Sequence, residues 1–315
     1  MIPLEEIRRA RDVLVGKVLR TPLVRLNGTD LYLKLENLQP IGSFKLRGAL
    51  NAVAGASPEE LRAGVVTGSA GNMGQGVAWA ARELGVSCTV VVPESAPEAK
   101  LAAIVRLGGR IVKVPYERWW QALEDSSYPE LDGLFVHPVQ DERVMAGNGT
   151  IGLELLEDLP ETDAVLVPFG GGGLSTGIAS AVKALRPQTR LYAVEPETGA
   201  PLAAAFGTGE PRPIDFVPSF VDGAGGPALL PAMWPLVRNL LDGAFAVSLD
   251  QTAEAIRVLA RRARVVAEGA GALALAAALN ERVEGDAVVC IVSGGNIDAE
   301  RLAEILAGRT PAAPS

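Results

Sequence analysis

Two runs in this 315-residue chain, Ala164-Val165-Leu166-Val167 and Val288-Val289-Cys290-Ile291-Val292, are apolar at every position rather than at every second one. A strand with one wet face alternates, whereas a strand apolar throughout is covered on both faces, as in a parallel sheet between helical layers. Further β-rich runs fall at residues 31–36, 64–67, 87–92, 110–114, 134–136, 191–195 and 245–249, and most are separated by segments of helix length. That order predicts an α/β layered fold, as one large unit or two smaller ones sharing a ligand cleft. Residues 207–227, rich in Pro and Gly, carry neither pattern and are expected to form an ordered loop beside a site. The Pro- and Ala-rich tail, 310–315, reads as a frayed end.

Composition removes whole classes of function. A hydrophobic fraction of 48% excludes disorder, and the richest apolar stretch, 270–279, is too short for a membrane span and reads as a buried helix. Glu5, Glu6, Arg8 and Arg9 stand where a secretory signal would be apolar, so a cytoplasmic location is expected. A net charge of −8 argues against nucleic acid as partner. Cys88 and Cys290 lie inside β-rich runs and read as buried strand residues. The only histidine, His137, follows the short run 134–136 and precedes Pro138. With one imidazole, no multi-histidine zinc site can form within the chain, and His137 reads as structural rather than as part of a Ser-His-Asp triad.

The strongest local motif is Gly170-Gly171-Gly172-Gly173, which follows the buried run 164–168 and opens a helical pattern at Leu174. Four glycines let successive N–H groups turn toward an anion, and the helix adds its positive end. The dinucleotide spacing of glycines at i, i+2 and i+5 is not met, and Gly177 is followed by Ile178 instead of the lysine of a nucleotide loop. The loop suits one phosphate; a ligand-free tight turn is the bland alternative. Ser43-Phe44-Lys45-Leu46-Arg47-Gly48 places Lys45 at a helix start with Ser43 as candidate N-cap, where the helix dipole disfavours the ammonium form. Lys34, the competing lysine, falls with Tyr32 and Glu36 on the polar side of an alternating strand. Ser69-Ala70-Gly71-Asn72-Met73 and Ser293-Gly294-Gly295-Asn296 close two further strands, with capping by Ser69 or Asn72 as the plain reading of the first. Glycine-lined turns at strand C-termini form the ligand crevice of an open α/β sheet.

Taken in order, Thr21-Pro22-Leu23, Lys34-Leu35-Glu36-Asn37-Leu38-Gln39, Gly42-Ser43-Phe44-Lys45 and Ser293-Gly294-Gly295-Asn296 resemble the fold type II pyridoxal-phosphate enzymes, specifically the threonine and serine dehydratases and serine racemases. The resemblance covers nearly the whole chain. It implies two open, twisted, mostly parallel sheet domains with pyridoxal 5'-phosphate in the cleft between them: a large one of residues 1–53 and 142–315 and a small one of 54–141. It implies Lys45 as the lysine holding the cofactor as a Schiff base, with Phe44 beside the ring and Asn72 on the ring 3'-hydroxyl. Gly170, Gly171, Gly172, Gly173 and Leu174 would cradle the phosphate, Ser293 would meet the pyridine nitrogen, and Gly223 and Glu268 would line the cofactor face. Ser69, Ala70, Gly71, Asn72 and Met73 would grip the carboxylate of a small amino-acid substrate. A homodimer or homotetramer is expected by the same resemblance.

Departures refine the expectation. Ser293, in place of a carboxylate, leaves the pyridine nitrogen closer to neutral, which favours prompt expulsion of a β-leaving group over a long-lived carbanion. Ala70 stands where racemases carry a second, proton-transferring serine, so β-elimination from threonine or serine ranks above racemisation. Met73 replaces the histidine of most relatives, which bears on substrate preference. Glu195 and backbone carbonyls around Gly199 would hold a monovalent or divalent cation, although Pro201 occupies the second acidic position of that site; a strand-end salt bridge for Glu195 is the alternative. β-Replacement, as in cysteine synthase, and a non-catalytic phosphate-binding protein are the competing functions.

Overall fold

The computed structural model describes residues 1–312, so the last three positions of the tail expected to fray lie outside the described residues. The chain begins with α1 (Leu4–Leu14), β1 (Leu23–Arg25), β2 (Leu31–Lys34) and α2 (Lys45–Ala54). There follow β3 (Val65–Gly68), α3 (Asn72–Glu83), β4 (Cys88–Pro93), α4 (Glu98–Arg106), β5 (Arg110–Val114), α5 (Tyr116–Glu124) and β6 (Leu134–Phe135). The remainder contains α6 (Glu142–Asp158), β7 (Ala164–Pro168), α7 (Gly173–Leu185), β8 (Arg190–Pro196), α8 (Pro201–Thr208), α9 (Trp234–Leu240), β9 (Gly243–Val247), α10 (Leu249–Val258), α11 (Gly269–Asn280), β10 (Val288–Ile291) and α12 (Ala299–Leu306).

Two sheets result. The larger runs β1-β2-β10-β7-β8-β9 and the smaller β5-β4-β3-β6, parallel throughout except where β1 turns back on β2. The two fully apolar runs, β7 and β10, are neighbours at the centre of the large sheet and wholly buried. Helix α11, at the position of the apolar stretch 270–279, is buried from Gly269 to Ala277. β1 escapes the sequence reading because three residues are too few to show a period. The strand expected at 245–249 sits two residues earlier, since Ser248 caps α10 through a reciprocal pair with Gln251 and ends the extended chain there.

The joint between the sheets is α2. Its buried Ala49, Leu50, Ala52 and Val53 share one cluster with Val65, Val77 and Val90 of the small layer, while its Arg47 reaches toward the large layer. Among the described residues, Cys88 and Cys290 are buried free thiols, raised by burial to about 12, and no helix is long and apolar enough to cross a membrane.

Lys34 and Arg47 anchor this joint, and here one expectation needs correction. The polar side of β2 faces the interior, not water: Lys34 is fully buried and its ammonium donates to Glu154 (2.6 Å) and to the Thr21 carbonyl (2.7 Å). Arg47 forks between Glu36 (2.8 Å) and Glu154 (2.7 Å), and Thr21 donates its hydroxyl to Glu36 at 2.5 Å. Burial alone would raise the Glu36 carboxyl and depress Arg47, but their mutual attraction outweighs it and keeps both ionised. Tyr32, Lys34 and Glu36 do share one side of the strand, but the carboxylate and guanidinium that Lys34 and Glu36 meet come from distant segments that the local pattern does not contain.

Candidate active site

Lys45 is the first residue of α2, and its partly buried side chain crosses the cleft to donate to the Pro138 carbonyl at 3.1 Å. The amine also rests 5.2 Å from the centre of the Phe44 ring. Burial lowers its pKa to about 8, with the Glu268 charge pulling the other way. The sequence reading assigned that depression to the helix dipole; desolvation is the larger cause. Ser43 is not the cap expected, because Phe44 occupies that position; the Ser43 hydroxyl accepts from the Lys45 N–H at 3.3 Å, and its backbone bridges to Gly294.

Gly170-Gly171-Gly172-Gly173 links the end of β7 to α7, with Gly172 left-handed at φ +97°. Among the described residues, no protein acceptor meets the N–H groups of residues 170–175; the first paired amide is that of Thr176, to the Gly172 carbonyl at 2.9 Å. A row of buried or half-buried donors at a helix start is an anion cradle. The wall behind it is close. A Cβ on Gly171 would stand 2.4 Å from Val139 Cγ2, and one on Gly173 2.9 Å from the Val139 carbonyl. Leu174 turns inward and packs in the core beside β7. Part of the Pro- and Gly-rich segment closes the other side: the Gly223 carbonyl lies 3.5 Å from where a Gly170 Cβ would be, and Gly225 N–H bonds the Phe169 carbonyl at 2.8 Å.

Opposite Lys45, Asn72 begins α3 and Glu268 precedes α11. Asn72 Nδ2 donates to Glu268 Oε1 at 2.8 Å, and Asn296 Nδ2 donates to Asn72 Oδ1 at 2.8 Å, so the side chains span both layers. Gly294 leaves room for this carboxylate, since a Cβ on it would stand 2.1 Å from Glu268 Oε1 and force the side chain to shift. Burial, reinforced by Asp222, raises Glu268 to about 7. Neither Ser69 nor Asn72 caps α3 as the plain reading had it; the Ser69 hydroxyl accepts from Gly71 N–H at 3.3 Å, leaving the Asn72 and Met73 amides without a protein acceptor among the described residues. The Met73 side chain lies in the small-layer core, 1% exposed, so this residue offers the cleft its main chain and the exchange of histidine for methionine alters packing. Ala70 is half-buried beside it, and Ser293, 3% exposed, lies two residues past β10 next to Phe44, whose N–H it accepts at 3.0 Å through its carbonyl.

Glu195 is placed differently from expectation. Its carboxylate accepts from the N–H groups of Leu202 (3.1 Å) and Ala203 (2.8 Å) and so caps α8, with burial raising it to about 7. Each of its oxygens takes one backbone donor, and among the described residues it forms no salt bridge. The Gly199 carbonyl accepts from Gly226 N–H at 3.2 Å, and no cluster of three acidic, His or Cys side chains suited to a metal occurs among the described residues.

A family profile described as pyridoxal-phosphate dependent enzyme matches residues 15–294. The chain belongs to that family. As a pyridoxal-phosphate dependent enzyme it is similar to the L-threonine ammonia-lyase of Thermotoga maritima, 40% identical over 319 aligned positions that cover 97% of this chain and 78% of that one. It is 37% identical to the catabolic L-threonine dehydratase of Escherichia coli, with 96% of each chain covered. The structure of maize serine racemase superposes with a TM-score of 0.89 at 32% identity, covering 97% of both chains. The two-sheet α/β architecture is the one expected.

The residues present fit the family's cofactor. A primary amine of lowered pKa and a row of free amides at a helix start are the partners that an aldehyde and a phosphate require. Gly171→Val tests the cradle: the branched side chain would displace Val139, and the dissociation constant for pyridoxal phosphate, read by absorbance titration, is expected to rise about tenfold or more.

Three contributors were not assigned from sequence. The Pro138 carbonyl, the Val139 wall and the Asn296 bridge come from loops after strands, and their only sequence signal was position: each follows a short β-rich run, where an open sheet gathers its ligand groups.

Proposed function

We propose that this enzyme is a pyridoxal-phosphate dependent L-threonine/L-serine ammonia-lyase that eliminates the β-hydroxyl and yields 2-oxobutanoate or pyruvate with ammonia. The observation carrying it is Lys45, whose burial-depressed amine faces a cleft where Ala70 supplies no second proton carrier. The identity to an L-threonine ammonia-lyase and a catabolic L-threonine dehydratase supports the same reading.

When bound, the cofactor withdraws electrons from the substrate Cα and makes its proton removable. The chain's own groups do the rest. The free amides at the start of α3, with Ser69 and Asn72, receive the substrate carboxylate. Lys45 both holds the cofactor and takes the Cα proton; an amine near 8 is neutral often enough at physiological pH to accept it and acidic enough afterwards to give it up. Amides 170–175 hold the phosphate dianion, and Ser293 offers the pyridine nitrogen a hydroxyl in place of a charge. The cofactor-ring and substrate roles of Phe44, Asn72, Gly223 and Glu268 belong to the same proposal, as does the division into a large and a small domain at residues 53 and 142.

The experiment is a substrate panel with the holoenzyme. 2-Oxo acid release from L-threonine and L-serine, exceeding D-serine formation from L-serine by at least about tenfold, is expected, since only one face of Cα has a proton carrier. D-Serine accumulating as fast as pyruvate would favour a racemase, and a thioether product with an added thiol would favour β-replacement.

A further inference from the structure

His137 is the one histidine of the chain, 3% exposed, and the elimination as written above makes no use of it. Its ring is nonetheless fully engaged. Nδ1 accepts from two backbone donors, Val139 N–H at 3.0 Å and Gln140 N–H at 2.8 Å, so it carries no proton. Nε2 therefore bears the hydrogen and donates to the Leu123 carbonyl of α5 at 3.1 Å. A protonated Nδ1 would face two other N–H groups. Burial already pushes this imidazole down to about 4, the nearby Lys45 charge adding to it against the Leu123 bond.

The turn so held touches both halves of the cofactor site. Its second residue, Pro138, offers the carbonyl that receives Lys45 Nζ at 3.1 Å. Its third, Val139, forms the wall against which Gly171 and Gly173 lie. Pro138 cannot donate a backbone bond of its own, so the two amides that fix the turn are those of Val139 and Gln140, and both end on one ring nitrogen.

We propose that His137 is a positioning residue for the cofactor: as a permanently neutral acceptor it sets the Pro138 carbonyl under Lys45 and the Val139 wall behind the phosphate loop at once. The inference rests on the assignment of Lys45 and the glycine loop to pyridoxal phosphate. It concerns how the two are kept in register, and it gives the imidazole an acceptor's task where the reaction needs no acid or base.

Two substitutions separate acceptor from filler. In His137→Asn the short amide places Oδ1 where Nδ1 stands and can accept from residues two and three ahead. In His137→Gln the longer side chain reaches Leu123 but leaves both amides without an acceptor. We expect His137→Gln to weaken pyridoxal phosphate binding about tenfold or more, and His137→Asn to recover most of that affinity, with apo-protein melting temperatures recorded for both. Equal losses in the two variants, or wild-type affinity in the Gln variant, would overturn the proposal. A second measurement needs no variant. Because there is one histidine, protein labelled with 15N-histidine gives a single pair of ring signals, and these should report the Nε2–H tautomer unchanged from pH 6 to pH 9 (roughly the range around an ordinary imidazole pKa). A ring that titrates within that range would overturn it equally. Failure of the wild-type protein to take up pyridoxal phosphate would instead overturn the function proposed above, so the two outcomes are distinct.

Discussion

Lys45→Ala is expected to cut 2-oxo acid formation from L-threonine by about 10³-fold or more and to remove the visible band of the lysine-bound cofactor. Exposed Lys17→Ala should serve as an inert control; Lys34→Ala is unsuitable, because it removes one of the two cations that hold buried Glu154. A second, opposite effect should accompany the loss. Lys45 has an ordinary value of 10.5 in the unfolded chain and about 8 when folded. Between those values the unfolded chain binds more protons, so the stability of the cofactor-free protein rises with pH across that window, and below about 8 the buried ammonium is a standing cost. Lys45→Met should therefore be inactive yet more stable than wild type at pH 7, by about 1–3 kcal/mol in urea unfolding of the apo-protein. An active Ala variant would sink the assignment of the lysine; a Met variant less stable than wild type would sink the account of its burial.

The largest stability effect is expected at Arg47. Its side chain is 1% exposed and bonds two carboxylates, so Arg47→Met takes from buried Glu36 the guanidinium that holds its carboxyl below the usual range and leaves Glu154 with Lys34 alone. Breaking a buried pair from one side costs about 3–5 kcal/mol, measurable as a lowered urea midpoint with unchanged slope. Replacing Lys34, Arg47, Glu36 and Glu154 together with apolar residues of similar size should recover most of it, since the penalty lies in uncompensated charge and Lys34 shares Glu154 with Arg47. Arg47 stands two residues from Lys45 on α2, so the single variant should also lose cofactor affinity, whereas Arg190, half-buried at the surface and paired with exposed Glu284, should tolerate alanine with little change.

How much of this was legible in the sequence depends on whether a feature is local. β7 and β10 announced themselves because each is apolar end to end, and the phosphate loop because four glycines in a row have few other uses. Ser43 and the position-248 boundary were misjudged by one or two residues, where a cap competes with the strand or helix beside it. For Glu195 the alternative of a strand-end salt bridge fails because the approach of α8, invisible in the local sequence, gives the carboxylate two amides to hold instead. The exchange of histidine for methionine at 73 bears on packing rather than on a side-chain contact, because one step along a helix from Asn72 turns a side chain by about a quarter of a circle, here into the core. The Lys34–Glu154–Arg47–Glu36 cluster joins residues far apart in the chain, and no window of sequence contains it.

β10 pairs on one side with β7 and on the other with β2, setting Val288 against Leu31. A nascent chain therefore cannot complete the large sheet until residues 288–291 have emerged: β2 leaves the ribosome early and has no central neighbour before β10, the last strand among the described residues. The small sheet, contiguous from β3 to β6, can form in the meantime. Ser293 and Asn296 follow β10, so the pocket stays incomplete until that strand lies between β2 and β7, and a chain truncated before Val288 would keep its lysine and its glycine loop but lack the Ser293 turn and the Asn296–Asn72 bond.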